Sequence, residues 1–420
     1  MTTRRRLTIA AVLGLVLVLV AIGVWWKFSG NRVGGTTELD AAETALRRHN
    51  PVAALTQLAP ILAAKPDNPQ ALFLAARAAR RCDDYAAAER HLAAFEKVSG
   101  TTEASRLEWS LLGVQQGDFG DDEERLRTAL GRQHPEEGVI LEAIAKGLAA
   151  AHRFPEAMAV LDRLLKRDPD HVLALVLHAA IAERFRRASD AEEDLRRAVN
   201  SAPDNATAQA AFAGWLNQHG HTREAIAHFE LAETLQPADA ATRIGLARAL
   251  ADAAKLADAE RQLEAVPAAD PKHTDALVER GRVLLRLGRF ADADAALEKA
   301  TTAAPWHRDA HRLRLVALKE LGRADAVKQC EAKIAELSRE DAAAGPMKIK
   351  ARDTPGDMTV RMALWEWSKR NGQPDEEVAW LAEILRAAPR DAAAHAAFAD
   401  YFDRTGQPQR AALHRTTAQK

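Results

Sequence analysis

Apolar residues recur along this chain at helical spacing, in a rhythm that returns every 34 residues. Prolines mark the period. Pro169, Pro203, Pro237, Pro271 and Pro305 stand 34 apart, and Pro355 and Pro389 repeat the interval. Pro66 precedes Pro169 by three periods plus one residue, and Pro355 follows Pro305 by one period plus 16. We number each repeat from the third residue after such a proline. Apolar side chains then fall at positions 4, 7, 8 and 11, and again at 20, 24, 27 and 28. Steps of three and four place them on one face of a helix, so each repeat is predicted to hold two amphipathic helices.

Other residue types keep the same time. Position 8 is Ala145, Ala179, Ala213, Ala247 and Gly281, and position 20 is Ala157, Ala191, Ala225, Ala259 and Ala293. Small residues there let the two helices approach closely. Position 24 is Leu161, Leu195, Phe229, Leu263 and Leu297, and position 27 is Leu164, Ala198, Ala232, Val266 and Ala300. Glycine is frequent at position 15 (Gly117, Gly220, Gly288, Gly372, Gly406), where a left-handed residue ends the first helix. Proline at position 32 stops the second helix because it lacks the next donor. Pro51, Pro374 and Pro408 sit instead where a second helix begins, and there the missing donor does no harm.

A 34-residue helix–turn–helix repeat with small residues at 8 and 20 and proline at 32 resembles the tetratricopeptide repeat (TPR) family. The resemblance covers nearly all of residues 35–420, in about eleven repeats beginning at 35, 69, 103, 138, 172, 206, 240, 274, 308, 358 and 392. Residues 35–341 read as nine repeats and 358–420 as two more, the last with a polar C-terminal cap. The resemblance implies an all-α, right-handed superhelical solenoid. Two repeats depart from the pattern. Asp122 occupies the small position of the third, and the repeat at 308–341 reads one residue short, since "LGRADAVKQC" lacks the aromatic of "LGRFADADAA". The 16 extra residues, Ala342 to Asp357, carry Gly345-Pro346 and Pro355-Gly356. They read as an inserted linker or hinge, or as a longer helix followed by a loop.

Composition narrows the function. The 420 residues are 28% charged and only 5% aromatic, with a net charge of −1, and nucleic-acid binders normally carry a basic excess. Two cysteines, Cys82 and Cys330, exclude a disulfide framework and a four-cysteine zinc site. The N-terminus differs from the rest. Residues 1–6 hold Arg4, Arg5 and Arg6, and residues 7–26 are uncharged and apolar, ending in Trp25 and Trp26 before Lys27. Twenty such residues would span about 30 Å as a helix, one hydrocarbon thickness. The expectation is a transmembrane signal anchor with a cytoplasmic basic tail, a linker at 27–34 and the repeats outside the cytoplasm. The rival reading is a cleaved signal peptide with Ala21 and Gly23 before the cut.

Stacked repeats bury their apolar faces against neighbours and leave a concave groove. By the resemblance, first helices line it. Groove candidates at positions 5, 9, 12 and 13 are Arg77, Arg80, Arg81, Lys146, Arg248, Arg282, Arg286, Arg312 and Lys319. Basic residues at that surface suit an acidic peptide or a carboxylate-bearing protein partner, and solvated arginines on an exposed face are the plainer reading. The asparagines of the family's carboxylate clamp, at positions 6 and 9, are not seen. His307 and His311 have the spacing of a metal pair but lack a third ligand. His219 and His221 fall in a turn and His228 on a second helix, and all three read as surface histidines. His178 reads as a core histidine with a backbone partner. Trp365 and Trp367, two apart, point to different faces, one into the core and the other a core residue or a partner contact.

No phosphate loop, nucleophile elbow, His-Glu-x-x-His or Cys-x-x-Cys motif occurs. The expectation is a non-enzymatic, membrane-anchored scaffold without cofactor, metal, catalytic residues, nucleic-acid partner or small-molecule substrate. It would act in cell-envelope assembly, secretion or cytochrome maturation. The alternative is a substrate-binding accessory subunit of an envelope enzyme complex.

Overall fold

The computed structural model describes residues 38–419 other than 121, 132–133, 238, 268–272 and 355, and every regular element among them is a helix. The expected tail at 1–6, anchor at 7–26 and linker at 27–34 lie outside the described residues. Among the described residues no helix is long and apolar enough to cross a membrane. The chain divides into two compact units, Met1–Leu112 and Gly113–Lys420.

In the first unit α1 (38–47) and α2 (Pro51–Ala64) pair, as do α3 (Pro69–Arg81) and α4 (Tyr85–Ser99). Helix α5 (Glu103–Gln115) follows, and the division between the units falls within it. Leu39, Leu46, Leu58, Ile61 and Leu74 form the core of the first two pairs. Here α3 and α5 are joined by charge: Arg77 and Arg80 both donate to the buried Glu108 carboxylate, at 2.8 and 2.9 Å. Burial alone would raise the Glu108 carboxyl, but the two guanidinium groups outweigh it and hold it below its ordinary range.

The second unit continues the alternation. Its first helices are α7 (Glu137–Ala150), α9 (Val172–Arg184), α11 (Ala206–Gln218), α13 (Ala240–Asp252), α15 (His273–Arg286), α17 (Arg308–Glu320), α19 (Met358–Arg370) and α21 (Ala392–Arg404). Their partners are α8 (Phe154–Arg167), α10 (Ala188–Ser201), α12 (Thr222–Leu235), α14 (Leu256–Glu264), α16 (Phe290–Ala303), α18 (Ala324–Asp353), α20 (Pro374–Ala387) and α22 (Pro408–Ala418), with the short α6 (Asp122–Gly131) completing the repeat begun by α5. The alanines at positions 8 and 20 are fully buried between paired helices. At Gly281 an added Cβ would overlap Leu297 of the partner helix, so the close approach is enforced there by the absence of a side chain.

Position 15 is left-handed in all eleven repeats, and only six of them use glycine. The other five turns hold His49, Asp83, His152, Arg186 and Ala254, with φ of 56 to 61°. Side chains with a Cβ are forced into a conformation they ordinarily avoid because the two helices must reverse within three residues. A second recurring device is absent from the expectations above. Two residues after the period proline, the side chains of Asn68, His171, Asn205, Asp239, His307 and Asp391 accept a hydrogen bond from the backbone N–H three residues on, capping the next first helix.

Of the two readings of 342–357, the longer helix is the one observed. Residues 342–353 prolong α18 into a 30-residue helix that passes through Pro346. The carbonyl that Pro346 leaves without its donor belongs to Ala342, which is exposed to water. Cys330, Leu337, Ala344 and Ala351 are the buried residues of α18, seven apart, so one narrow seam keeps the helix against the repeats on either side. The buried Arg361 ends it, donating to the Ala351 carbonyl at 2.9 Å and to Thr354 at 3.3 Å. No residue is missing from the turn at 308–341 either. Helix α18 starts two residues after Gly322, as α16 does after Gly288, and what differs is which face turns inward.

Candidate peptide-binding groove

In the second unit successive first helices lie side by side and are laced by polar pairs across their exposed face. Trp215 Nε1 donates to Glu183 at 2.7 Å, joining α11 to α9. Asn217 Nδ2 donates to Asp252 at 2.8 Å, joining α11 to α13. Arg248 Nη2 donates to Glu279 Oε1 at 2.9 Å, joining α13 to α15. Position 9 of one repeat thus reaches position 6 of the next, the spacing that also links Arg77 to Glu108 in the first unit. Part of the basic pattern read from sequence is therefore a stacking device.

The face formed by α11, α13 and α15 is nonetheless hollowed. A depression of about 240 Å³ is lined by Asn217, Arg248, Asp252, Glu279, Arg282 and Arg286, over a floor of Ala247, Ala251, Leu263 and Val283. Glu279 accepts from Arg248 and, at its other oxygen, from Arg282 Nε at 3.1 Å. Both guanidinium groups stay about half exposed, at 55% and 49%. Arg286 is exposed and makes no ion pair among the described residues. Three arginines face two carboxylates, and one of these, Asp252, is turned to Asn217. Arg282 and Arg286 keep unused N–H groups, and a guanidinium fork matches the geometry of a carboxylate. Asn217 Oδ1 is buried without a hydrogen-bond partner, leaving one acceptor for an incoming N–H.

The remaining groove candidates separate. Arg80 and Arg81 are not groove residues. Arg80 is buried on Glu108 and Arg81 donates to the Leu46 carbonyl at 2.8 Å, because their helix face packs inside the first unit. Arg77 is largely covered by the same Glu108 contact. Lys146 is half-buried on α7. Arg312 and Lys319 are exposed and paired within their own repeat, with Asp309 at 3.4 Å and Glu331 at 2.9 Å.

Two histidines, His178 and His228, differ from the sequence reading. His178 bonds the Asp194 carboxylate rather than a backbone group, with Asp162 at 3.5 Å on its other side. The Asp194 bond outweighs burial and raises the imidazole above its ordinary value. His228 is half-buried on Gln209 at 2.6 Å, and burial lowers it. His219 stacks on Trp215 with ring centres 4.2 Å apart, while His221 is exposed at the start of α12. His307 caps α17 and His311 faces the Pro305 carbonyl at 3.0 Å, so the two nitrogens serve different backbones. Trp365 and Trp367 are both buried because α19 is covered on two sides, and Lys348 of α18 lies 4.7 Å over the Trp367 ring.

Tetratricopeptide-repeat family models match residues 142–206, 216–281 and 278–326, which include the groove helices α13 and α15. Residues 142–326 carry tetratricopeptide repeats. The TPR array is similar in fold to PilW, described as a widely conserved type IV pilus biogenesis factor, at 24% identity over 47% of this chain and 91% of PilW, with a TM-score of 0.44. It is similar also to PilF of Pseudomonas aeruginosa, at 18% identity over 49% of this chain and 93% of PilF, with a TM-score of 0.44. YrrB, a TPR protein with an unusual peptide-binding site, aligns at 21% identity over 44% of this chain and 95% of its own, with a TM-score of 0.35. No curated protein matches.

Proposed function

We propose that this protein is a non-enzymatic TPR scaffold that holds an acidic peptide segment of a partner protein on α11, α13 and α15. One observation carries the reading: Arg282 and Arg286 stand beside a hollow with unused guanidinium N–H groups, next to the orphan acceptor of Asn217. A peptide laid there would place carboxylates on the arginines and a backbone N–H on Asn217 Oδ1. We further propose that residues 7–26 anchor the scaffold in a membrane with the array outside the cytoplasm, in cell-envelope assembly. The uncharged run behind Arg4, Arg5 and Arg6 supports this part.

Binding of a fluorescent poly-glutamate peptide to the full chain in detergent tests the groove. Saturable binding that weakens with salt and is lost in Arg282→Glu/Arg286→Glu supports it. Equal binding by that variant removes it. A reporter fused after Lys420 that is active only in the cytoplasm would reverse the proposed orientation.

A further inference from the structure

Two arginine–carboxylate contacts in the second unit differ in the space around them. In one, α22 closes on the unit's own beginning. Gln116 and Gln407 exchange amide hydrogen bonds at 2.9 and 2.8 Å, and Arg410 donates to the Asp118 carboxylate. Asp118 and Arg410 are both buried, and a Cβ added to Gly113 would overlap the Arg410 guanidinium, so this contact is filled. The other borders the hollow between α13 and α15, which measures about 240 Å³. At about 30 Å³ per water, that is room for about eight, enough for a leucine or phenylalanine side chain.

The hollow has a floor and a rim of opposite character. Its floor is Ala247, Ala251, Leu263 and Val283. Ala251 stands at position 12, where the adjacent repeats carry Asn217 and Leu285, and its small side chain leaves the space open. No floor side chain can hydrogen-bond, so water resting there lacks partners on that side. A carboxylate cannot take the water's place, because an ionised group brought onto apolar surface loses hydration that nothing replaces. An apolar side chain can, since it gives up no hydrogen bond. The rim calls for the reverse. Arg282 gives Nε to Glu279 at 3.1 Å and stays half exposed, and Arg286 is exposed, so both keep N–H groups for carboxylates.

We propose that the hollow takes one bulky aliphatic or aromatic side chain of the bound peptide, and that carboxylates at the second and fourth positions from it reach Arg282 and Arg286. This occupancy rests on the peptide-binding reading above and adds the side chain that fixes the peptide's register. The spacing follows from two regular geometries. Arg282 and Arg286 are one turn apart on α15, which places their Cβ atoms about 5–6 Å apart. In an extended peptide, residues two apart share a face at about 6.5 Å. Carboxylates on alternate residues therefore match the two arginines, and the next residue on the same face drops into the hollow. Asn217 Oδ1, buried without a hydrogen-bond partner, accepts a backbone N–H of the same segment. The preferred ligand is thus a mixed acidic and apolar segment rather than a plain polyanion.

Isothermal titration calorimetry of the full chain in detergent tests this with capped peptides. The first is Glu-Ser-Glu-Ser-Phe-Ser-Glu-Ser-Glu, whose symmetry covers either chain direction. The second has serine for phenylalanine, and the third has glutamine for every glutamate. The phenylalanine peptide should bind roughly ten- to a hundredfold more tightly than its serine counterpart, the worth of burying one large apolar side chain, with a more negative heat-capacity change. In Ala251→Leu, whose leucine would occupy the hollow, the two acidic peptides should bind alike. Equal affinity of those two for the natural chain would overturn the proposal and leave the acidic-peptide reading standing. Equal binding of the glutamate and glutamine peptides would overturn that reading and the placing of the carboxylates with it. Binding by no peptide would overturn both. Where Ala251→Leu does not fold, the comparison of the two acidic peptides on the natural chain decides.

Discussion

The groove at α13 and α15 and the closure at α22 are built from the same chemistry, arginine on carboxylate, and do opposite things. Arg248 and Glu279 sit at 55% and 12% side-chain exposure, while Arg410 and Asp118 sit at 3% and 8%. In the groove, water still reaches the guanidinium groups, the pair itself adds little stability, and spare N–H groups remain for a partner. In the closure, both side chains are buried. Each charge there is tolerable only because the other is present, and the contact fixes one arrangement of the chain. Burial, not residue type, separates the proposed recognition surface from the closed contact.

The contrast is most directly broken at Arg410. Arg410→Met leaves Asp118 buried without its counter-charge and should destabilise the C-terminal helices by about 3–5 kcal/mol in urea unfolding. Arg248→Met should change stability by about 1 kcal/mol or less. Equal losses would mean that the two sites do not differ as described. In binding, the order reverses. Arg282→Glu/Arg286→Glu should lower affinity for an acidic peptide about a hundredfold in fluorescence anisotropy, two charge-assisted hydrogen bonds at about 1.5 kcal/mol each, with little effect on unfolding.

His178 lies between these extremes, in contact with two carboxylates but not sealed from water. Its folded value is raised by Asp194. The stability it contributes is therefore full below the ordinary histidine value of about 6.5 and is lost as pH rises through the raised folded value. Urea midpoints of the natural chain and His178→Gln should differ at pH 5.5 and converge by pH 8.5. Divergence in the alkaline direction would contradict the sign. The smallest effect belongs to a turn that touches neither site. Ala254 holds φ at 60°, so Ala254→Gly should stabilise by about 1 kcal/mol in the same assay.

Much of the fold was legible because its causes are local. The small residues at positions 8 and 20, the helix-stopping prolines and the position-15 turn each act within one repeat, and each appears where the period put it. The long α18 was one of two open readings, and the seven-residue beat of Cys330, Leu337, Ala344 and Ala351 through the glycine and proline favours it over a linker. The capping residues two places after the prolines were equally visible as a recurring Asn, Asp or His, and went unread. The site was legible only in part. Arg248, Arg282 and Arg286 do gather in one hollow, whereas Arg80 and Arg81, at positions 12 and 13 of their repeat, are buried. Their fate depends on Glu108 and Leu46, which lie in neighbouring repeats.

The sequence by itself determined that this chain is a helical array with a fixed ruler, because periodicity and backbone-breaking residues are properties of the chain alone. Tertiary structure alone decided which charges meet water and which meet each other. Asp118 and Arg410 are 292 residues apart, and no local pattern marks them as partners. Their pairing arises from the summed small rotations of every intervening repeat, a quantity set by packing across the whole unit rather than by any one stretch of it.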